Sequence, residues 1–194
     1  MATASRSTRR ALLSTLASLP LVAASAEQIR PDGSGGKVLV AYFSRTGNTR
    51  VIAGLIQRSL KAQIFEIQPA TPYPDDYLET VEQARQERDA GRTRPLIGQI
   101  DAGAFDTVYL GFPIWGETVP PAVLAFLAWQ NWQGKSLVPF QTHGGYGLGN
   151  SQQVLSGYLS QGRLHPGFAM EADQERRTMT QVGEWLQTTG SKPR

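Results

Sequence analysis

The sequence predicts an α/β protein in which one parallel β-sheet is doubly wound and covered by helices on both faces. Apolar runs that are typical of buried strands alternate along the chain with segments whose apolar residues recur at helical spacing. The chain has 194 residues, 40% hydrophobic and 18% charged, which suits one globular domain with its own core. Strands that alternate with helices are joined by right-handed crossovers, so the sheet is parallel. We therefore expect a single domain with five strands and five helices.

The five expected strands are short apolar runs separated by the helical segments. They lie at residues 38–43, 64–67, 107–112, 137–142 and 163–168. The last of these runs has the weakest apolar pattern. No internal repeat is visible, and no linker divides the domain.

The five expected helices differ in the apolar surface that they carry. The first follows the first strand directly and has one apolar face, formed by Val51, Ile52, Leu55, Ile56 and Leu60. The second, at residues 77–88, is mostly charged and has one apolar side, formed by Leu78, Val81 and Ala84. The third, Pro121–Trp129, is apolar enough to be largely buried, and its proline suits a first helical turn. Helices at 151–159 and 174–186 complete the set, the last with an inward face formed by Met179, Val182 and Leu186.

The first 26 residues have the pattern of an export signal. Arg6, Arg9 and Arg10 precede a modestly apolar stretch, which ends on Ala24-Ser25-Ala26, an A-x-A cleavage pattern. Residues 8–13 resemble the twin-arginine signal of bacteria, and a general secretory signal is the main alternative. The apolar stretch is too short and too interrupted to span a membrane. We expect cleavage after Ala26, a flexible lead at residues 27–36 and a folded domain at 37–190.

Charge and cysteine content exclude several classes of function. The chain has no cysteine, so disulfides, thiolate catalysis and iron–sulfur clusters are excluded, and any redox chemistry needs a bound cofactor. The 19 basic residues include three arginines of the signal, whose removal leaves 16, equal to the 16 acidic residues. A neutral mature chain without a basic, aromatic run gives no indication of nucleic-acid binding. Two histidines without spaced carboxylates predict no metal site.

The loop after the first strand has the composition of a phosphate site. In doubly wound folds, ligands bind beyond the carboxyl ends of the strands. Here the hydroxyls of Ser44, Thr46 and Thr49 and the amide of Asn48 surround Gly47, and a helix begins at once. A helix N-terminus beside a glycine presents unpaired N–H groups to an anion, which favours a phosphate monoester. The loop lacks the lysine of a P-loop and the three glycines of a dinucleotide site, and a simple helix cap is the alternative.

Two further loops fall at the same edge of the predicted sheet. The loop after the third strand contains Pro113, Ile114, Trp115 and Gly116, with the tryptophan at the expected tip, where an indole usually covers something flat. The loop after the fourth strand contains Thr142, His143, Gly144, Gly145 and Tyr146, within a stretch of four glycines that suits close backbone approach to a ligand. Each loop also has a simpler interpretation: Trp115 could cap the core, and the glycines could form a mobile surface loop.

These loops together resemble the flavodoxin family. The pattern Ser44-x-Thr46-Gly47-x-Thr49 is similar to the flavodoxin loop that binds the phosphate of FMN, and the resemblance covers residues 37–186. The stretches GFPIWGETVPPAV, GKSLVPFQTHGGYGLGNS and PATPYPDDY resemble a flavodoxin-like subfamily common in bacterial genomes. The resemblance implies a five-stranded parallel sheet in the order 2-1-3-4-5, with FMN as cofactor.

The resemblance also implies a role for each loop. The phosphate would be held by the side chains of Ser44, Thr46, Asn48 and Thr49 and the backbone of Arg45 and Gly47. Trp115 would stack on the isoalloxazine ring and disfavour its reduced anion, and the Gly116 peptide would reorient towards flavin N5 on reduction. Residues 142–146 would hold the pyrimidine edge, with Tyr146 over the other face of the ring and His143 contributing its backbone. His165 is expected to be structural.

The function implied is redox chemistry by a bound flavin. The leading interpretation is a one-electron carrier of the cell envelope that is loaded with FMN before twin-arginine export to the periplasm. Its partner would be another redox protein. An FMN-dependent NAD(P)H:quinone oxidoreductase of the same fold is the second interpretation, with a small quinone and a nicotinamide as substrates. A flavin-free module that binds a phospho-ligand is the third. The neutral mature charge differs from the acidic surface of typical flavodoxins, which slightly favours the reductase.

Overall fold

The structure is a computed structural model that describes residues 37–188, apart from residues 75, 93, 173 and 174. The predicted signal at 1–26 and lead at 27–36 lie outside the described residues, as does the predicted end of the domain at 190. The side chain of Met179, which is expected to face inward, also lies outside the described part of the structure.

The main sheet is parallel and has the predicted strand order. Its first four positions are filled by β1 (Val38–Tyr42), β2 (Gln63–Glu66), β5 (Thr107–Pro113) and β6 (Ser136–His143), in the spatial order β2-β1-β5-β6. Val40 pairs with Tyr109 of β5, whose neighbour across the sheet is Val138 of β6. The strands alternate with helices as expected, so the doubly wound α/β class is confirmed.

The fifth position of the sheet holds two short strands where the sequence predicts one. Both β7 (Arg163–Leu164) and β8 (Phe168–Glu171) pair in parallel with β6, and three residues separate them. Pro166 lacks an N–H for the ladder, and a Cβ on Gly167 would lie 2.4 Å from the carbonyl oxygen of Pro139. The backbone therefore leaves the hydrogen-bonded ladder at Pro166 and Gly167. It rejoins the ladder at Phe168, towards the carboxyl edge of the sheet.

The helices cover both faces of the sheet. On one face, α1 (Asn48–Leu60) and α5 (Glu175–Thr188) pack with residues such as Val40 and Phe140. On the other, α2 (Tyr77–Asp89), α3 (Pro121–Trp129) and α4 (Ser151–Tyr158) pack with residues such as Leu39 and Leu110. Consecutive strand residues thus enter opposite layers, as a sheet buried on both sides requires.

Three features of the elements differ from the sequence expectations. Val51 and Leu78 were expected on apolar helix faces but are exposed, because the buried faces are formed by Ile52 and Ile56 in α1 and by Thr80 and Ala84 in α2. A small antiparallel pair, β3 (Gln68–Pro69) with β4 (Leu96–Ile97), brackets α2 and was not predicted. At two residues per strand, it is too short to produce a periodic pattern in the sequence.

Candidate functional site at the carboxyl edge of the sheet

The three predicted loops meet beyond the carboxyl ends of β1, β5 and β6. The buried hydroxyls of Thr49 and Thr142 lie 2.9 Å apart, which joins the start of α1 to the end of β6. The backbone N–H of Ile114 donates to the carbonyl of Thr142 over 2.8 Å, which joins the second loop to the third. These bonds bring the three loops together at one edge of the sheet.

The first loop leaves the N-terminus of α1 open. Gly47 occupies the cap position with φ of 98°, a left-handed conformation that glycine adopts without strain, and no side chain caps the helix. The Ser44 hydroxyl instead accepts the N–H of Gly47 over 3.1 Å, inside the loop. The first helical bond runs from the N–H of Val51 to the carbonyl of Gly47, so the N–H groups before Val51 have no partner within the helix. The structure therefore differs from the alternative interpretation, in which a side chain of this loop caps the helix.

The groups around this helix end fit a phosphate monoester. Thr46 is exposed, and Ser44, Arg45 and Asn48 are half-buried beside it. A Cβ built on Gly47 would have no atom within 4 Å, so the space in front of the loop is open. Neutral hydroxyl and amide donors, open N–H groups at the positive end of a helix and one arginine are the chemistry that binds a phosphate dianion. They do not fit a cation.

The second loop is a tight turn whose tip is Gly116 and Glu117. Both tip residues have positive φ, 52° and 61°, and the N–H groups of Trp115 and Thr118 each donate to the other's carbonyl. This pairing across two left-handed residues is typical of a type I′ turn. Gly116 and Glu117 are exposed, so this turn forms the surface of the loop.

Trp115 lies in the core, in contrast to the loop-tip position expected from the sequence. Its residue surface is only 5% exposed, and its ring meets Phe43 at 5.2 Å and Tyr73 at 4.8 Å between centroids, both edge to face. These contacts support the alternative in which Trp115 caps the core. The physical reason is that the turn at Gly116 and Glu117 reverses the chain and directs the indole inward. Its stacking on a flavin stays a prediction.

The third loop carries the exposed aromatic residue of the site. Tyr146 is 85% exposed, while neighbouring Thr142 is buried. The N–H of Gly145 donates to Nδ1 of His143 over 3.2 Å, so this ring nitrogen accepts within its own loop. The loop is fixed to the second one by a bond of 2.9 Å from the Asn150 N–H to the Glu117 carbonyl.

The match with known sequences agrees with this geometry. The family pattern described as flavodoxin matches residues 37–189, which includes every element of the sheet and all three loops. The chain belongs to the flavodoxin family.

Solved structures share the fold of this flavodoxin. A candidate flavoprotein from Bacteroides eggerthii is 28% identical, with a TM-score of 0.66 over 78% of this chain and 96% of that one. A second, from Bacteroides uniformis, is 27% identical, with a TM-score of 0.68 over 79% and 99%. A flavoprotein from Lactobacillus acidophilus, solved in complex with FMN, is 18% identical, with a TM-score of 0.62 over 75% and 99%. The search of curated proteins found no match.

A buried charged cluster that the sequence analysis missed anchors α2 beside the second loop of the flavodoxin. Arg94 is 7% exposed, binds the Glu87 carboxylate and the Thr71 carbonyl, and stacks its guanidinium 3.9 Å from the centre of the Tyr73 ring. The Tyr73 hydroxyl donates to the same carboxylate over 3.2 Å. Burial, and then the Glu87 charge, raise the pKa of Tyr73 well above its usual range, so the phenol stays protonated.

The sequence gives a partial signal for this cluster. The PATPYPDDY stretch contains Tyr73 and resembles the subfamily, but the charges of α2 have the pattern of an ordinary solvated helix. Nothing in the spacing of Glu87 and Arg94 distinguishes them from their exposed neighbours, since their burial depends on β4 folding back onto β3.

Within residues 37–188, outside the four gaps, no group of three or more histidine, aspartate or glutamate side chains is placed to hold a metal ion. Among the helices that the structure describes, none is long and apolar enough to cross a membrane.

Proposed function

We propose that this flavodoxin binds FMN at the carboxyl edge of its sheet and transfers electrons through it. The observation that carries the proposal is the open N-terminus of α1, whose Thr49 is bonded to Thr142 in the loop that carries the exposed Tyr146. An open helix N-terminus and an exposed aromatic side chain thus lie on loops that are joined to each other. A flavin mononucleotide has a phosphate at one end and a flat ring at the other, and needs both.

The residues of the three loops would divide the work of binding. Ser44, Thr46, Asn48 and the first N–H groups of α1 would hold the phosphate, with Arg45 adding positive charge. The backbone of residues 142–146 would bind the pyrimidine edge, and Tyr146 would cover one face of the ring. When bound, FMN supplies the electron chemistry that the side chains of this chain do not. Trp115 would support the site from the core, behind the turn at Gly116.

A carrier of single electrons is the leading form of this function. The fold is that of flavodoxins, and the sequence shows no second phosphate loop for a nicotinamide nucleotide. One observation favours a reductase as the second candidate: the equal numbers of acidic and basic residues in the mature chain give no strong field to steer a basic protein partner. A small quinone does not need such steering.

The proposal is tested by comparing FMN with riboflavin, which lacks the phosphate. We expect the apoprotein to quench FMN fluorescence on binding, with at least about hundredfold higher affinity than for riboflavin, because the open helix end serves the phosphate alone. Thr46→Asp should weaken FMN roughly tenfold or more by charge repulsion and leave riboflavin unchanged. Thr46→Asn is the matched control, because asparagine has the size of aspartate but carries no charge. An apoprotein that takes up no FMN would overturn the proposal and leave the phospho-ligand module.

The redox role is tested on the loaded protein. Two separate one-electron steps during reductive titration would support the carrier. Rapid NAD(P)H oxidation in the presence of a quinone, with a single two-electron step, would support the reductase instead.

The proposed site of action is the cell envelope. Arg9 and Arg10 before the apolar stretch, and Ala24-Ser25-Ala26 after it, support twin-arginine export and cleavage after Ala26. FMN is made in the cytoplasm, and this export route carries folded proteins. The cofactor would therefore be bound before the protein crosses the membrane.

A further inference from the structure

The guanidinium of Arg88 lies against the turn that faces the proposed flavin ring. We infer that Arg88 stabilises the reduced, anionic form of the bound flavin, and so raises the reduction potential of this protein. The inference rests on the proposed function, because it takes the second loop as the ring end of an FMN site. It assigns a role to a residue of α2, a helix that lies outside the three predicted binding loops.

The side chain of Arg88 lies close to Gly116, the first residue at the tip of the turn. A Cβ built on Gly116 would have one neighbour within 4 Å, Nη1 of Arg88 at 3.6 Å. The Arg88 side chain is 35% exposed, so its charge is partly shielded from water. Its Nε faces the Asp89 carboxylate at 3.5 Å, a loose contact that leaves the other end of the planar group directed at the turn.

The last turn of α2 is fixed by the residue just before Arg88. The Glu87 carboxylate is 16% exposed and binds Arg94, whose guanidinium also binds the Thr71 carbonyl. Glu87 also accepts the hydroxyl of Tyr73, whose ring packs on Trp115 directly before Gly116 in the chain. The buried cluster thus ties α2 and the second loop to the same aromatic pair. This arrangement places the backbone of Arg88 close to the turn, within reach of its side chain.

The charges near the turn determine the sign of the effect. Asp89 is shared between Arg88 and Arg85, and Arg85 also binds Glu82, so these side chains together are neutral. Glu117 is the exposed carboxylate of the turn itself and opposes Arg88. Glu117 is present in wild type and variants alike, so the effect of Arg88 is the difference that its own charge makes. Arg88 has an atom within 4 Å of a Cβ built on Gly116, and its removal leaves the surroundings of the turn more negative.

Reduction of the bound flavin would add negative charge close to this cation. Two electrons and one proton convert the neutral oxidised ring into a reduced ring with one net negative charge. In the titration proposed here, dithionite supplies the electrons and the buffer supplies the proton. A nearby guanidinium lowers the free energy of the charged product and leaves that of the neutral oxidised ring almost unchanged. The reduced flavin is therefore bound more tightly than it would be without Arg88.

The test is a potential measurement on three variants of the FMN-loaded protein. Arg88→Gln should lower the affinity for reduced flavin relative to oxidised flavin about tenfold, which is a fall of about 30 mV in the midpoint potential of the overall two-electron reduction. Arg88→Lys keeps the charge and should keep most of the potential. Arg58→Gln is the matched control, because it removes the same charge from the last turn of α1, at the opposite edge of the sheet. The affinity of each apoprotein for oxidised FMN should stay within about threefold of wild type.

The outcomes separate this inference from the proposed function. If wild type binds FMN and Arg88→Gln has the wild-type potential, the inference fails and the FMN site stands. An equal fall in Arg58→Gln would also overturn it, because the effect would then come from net charge. If wild type takes up no FMN, both proposals fail together. A fall confined to Arg88→Gln, with recovery in Arg88→Lys and unchanged thermal midpoints, supports the inference.

Discussion

At the scale of single residues, the contact between the second and third loops depends on Gly149. Its φ is 52°, and a Cβ at this position would lie 1.9 Å from the carbonyl oxygen of Glu117. That carbonyl accepts the N–H of Asn150 over 2.9 Å. The close approach of two backbones, one of them carrying the exposed turn at Gly116, is therefore possible only without a side chain.

Gly149→Ala is expected to break this contact, and Gly147→Ala provides the matched control. Gly147 also has a positive φ, 76°, but a Cβ there would meet nothing within 4 Å. Gly147→Ala should therefore lower the free energy of unfolding by about 1 kcal/mol, the cost of a left-handed alanine. Gly149→Ala should cost roughly 1–3 kcal/mol more, because the backbone of Glu117 must move. Urea denaturation of both variants measures the difference, and equal losses would show that the two loops are not held by this approach.

Trp115 and Tyr146 show how far single residues could be predicted from the sequence. Their positions in loops at the site edge follow from strand order and were predicted. Which of the two rings faces solvent could not be predicted, because it depends on the turn at Gly116 and on Tyr73, a residue distant in the chain. The start of α1 directly after the first strand was easier to predict, since its residues are consecutive and their conformation depends mainly on Gly47. The role of this loop in phosphate binding stays a prediction.

At the scale of elements, α2 has few buried apolar residues and is joined to the domain by a buried charged pair. Among its described residues Ala84 and Thr80 are buried, while Leu78 is 74% exposed. The pair of Glu87 and Arg94 is nearly enclosed, with 16% and 6% of the two side chains exposed. A buried pair costs much desolvation and is disrupted when one partner is removed, because the other charge then stays buried alone.

Glu87→Gln is therefore expected to destabilise the protein by about 3 kcal/mol in urea denaturation. Replacing both partners, in Glu87→Gln with Arg94→Met, should recover part of this loss, because no unpaired charge remains. Glu82→Gln is the control, since its exposed pair with Arg85 should contribute little. Amide exchange should increase within residues 77–89 in the single Glu87 variant. A single variant as stable as wild type would contradict the anchoring role of the cluster.

The elements that the sequence predicts well are those with long patterns of their own. Strands β1, β5 and β6 and helix α3 have the predicted bounds within one residue, because each buries a nearly continuous apolar run. The pair β3 and β4 and the break between β7 and β8 were missed. Their conformation is imposed by neighbours, as when Pro139 excludes a side chain at Gly167.

At the scale of the whole molecule, the proposed cofactor and the proposed export route depend on each other. The three proposed binding loops follow three different strands, and Thr49 meets Thr142 only when β1, β5 and β6 are assembled. The proposed phosphate site and the proposed ring site therefore come together only in the folded domain. If the chain is exported and binds FMN in the cytoplasm, as proposed, it must fold there, and only a route for folded proteins then carries it across the membrane.

Replacing Arg9-Arg10 with Lys-Lys tests that dependence. We expect the variant to accumulate in the cytoplasm in its FMN-bound form, because the twin-arginine route requires both guanidinium groups and a general secretory signal does not. Cell fractionation, with the flavin absorbance of each fraction, measures the outcome. Thr46→Asp with an intact signal is the companion variant, and a fall in its export would show that flavin loading precedes crossing. Normal export of the Lys-Lys variant would contradict the twin-arginine assignment and favour a general secretory signal, with the cofactor acquired after translocation.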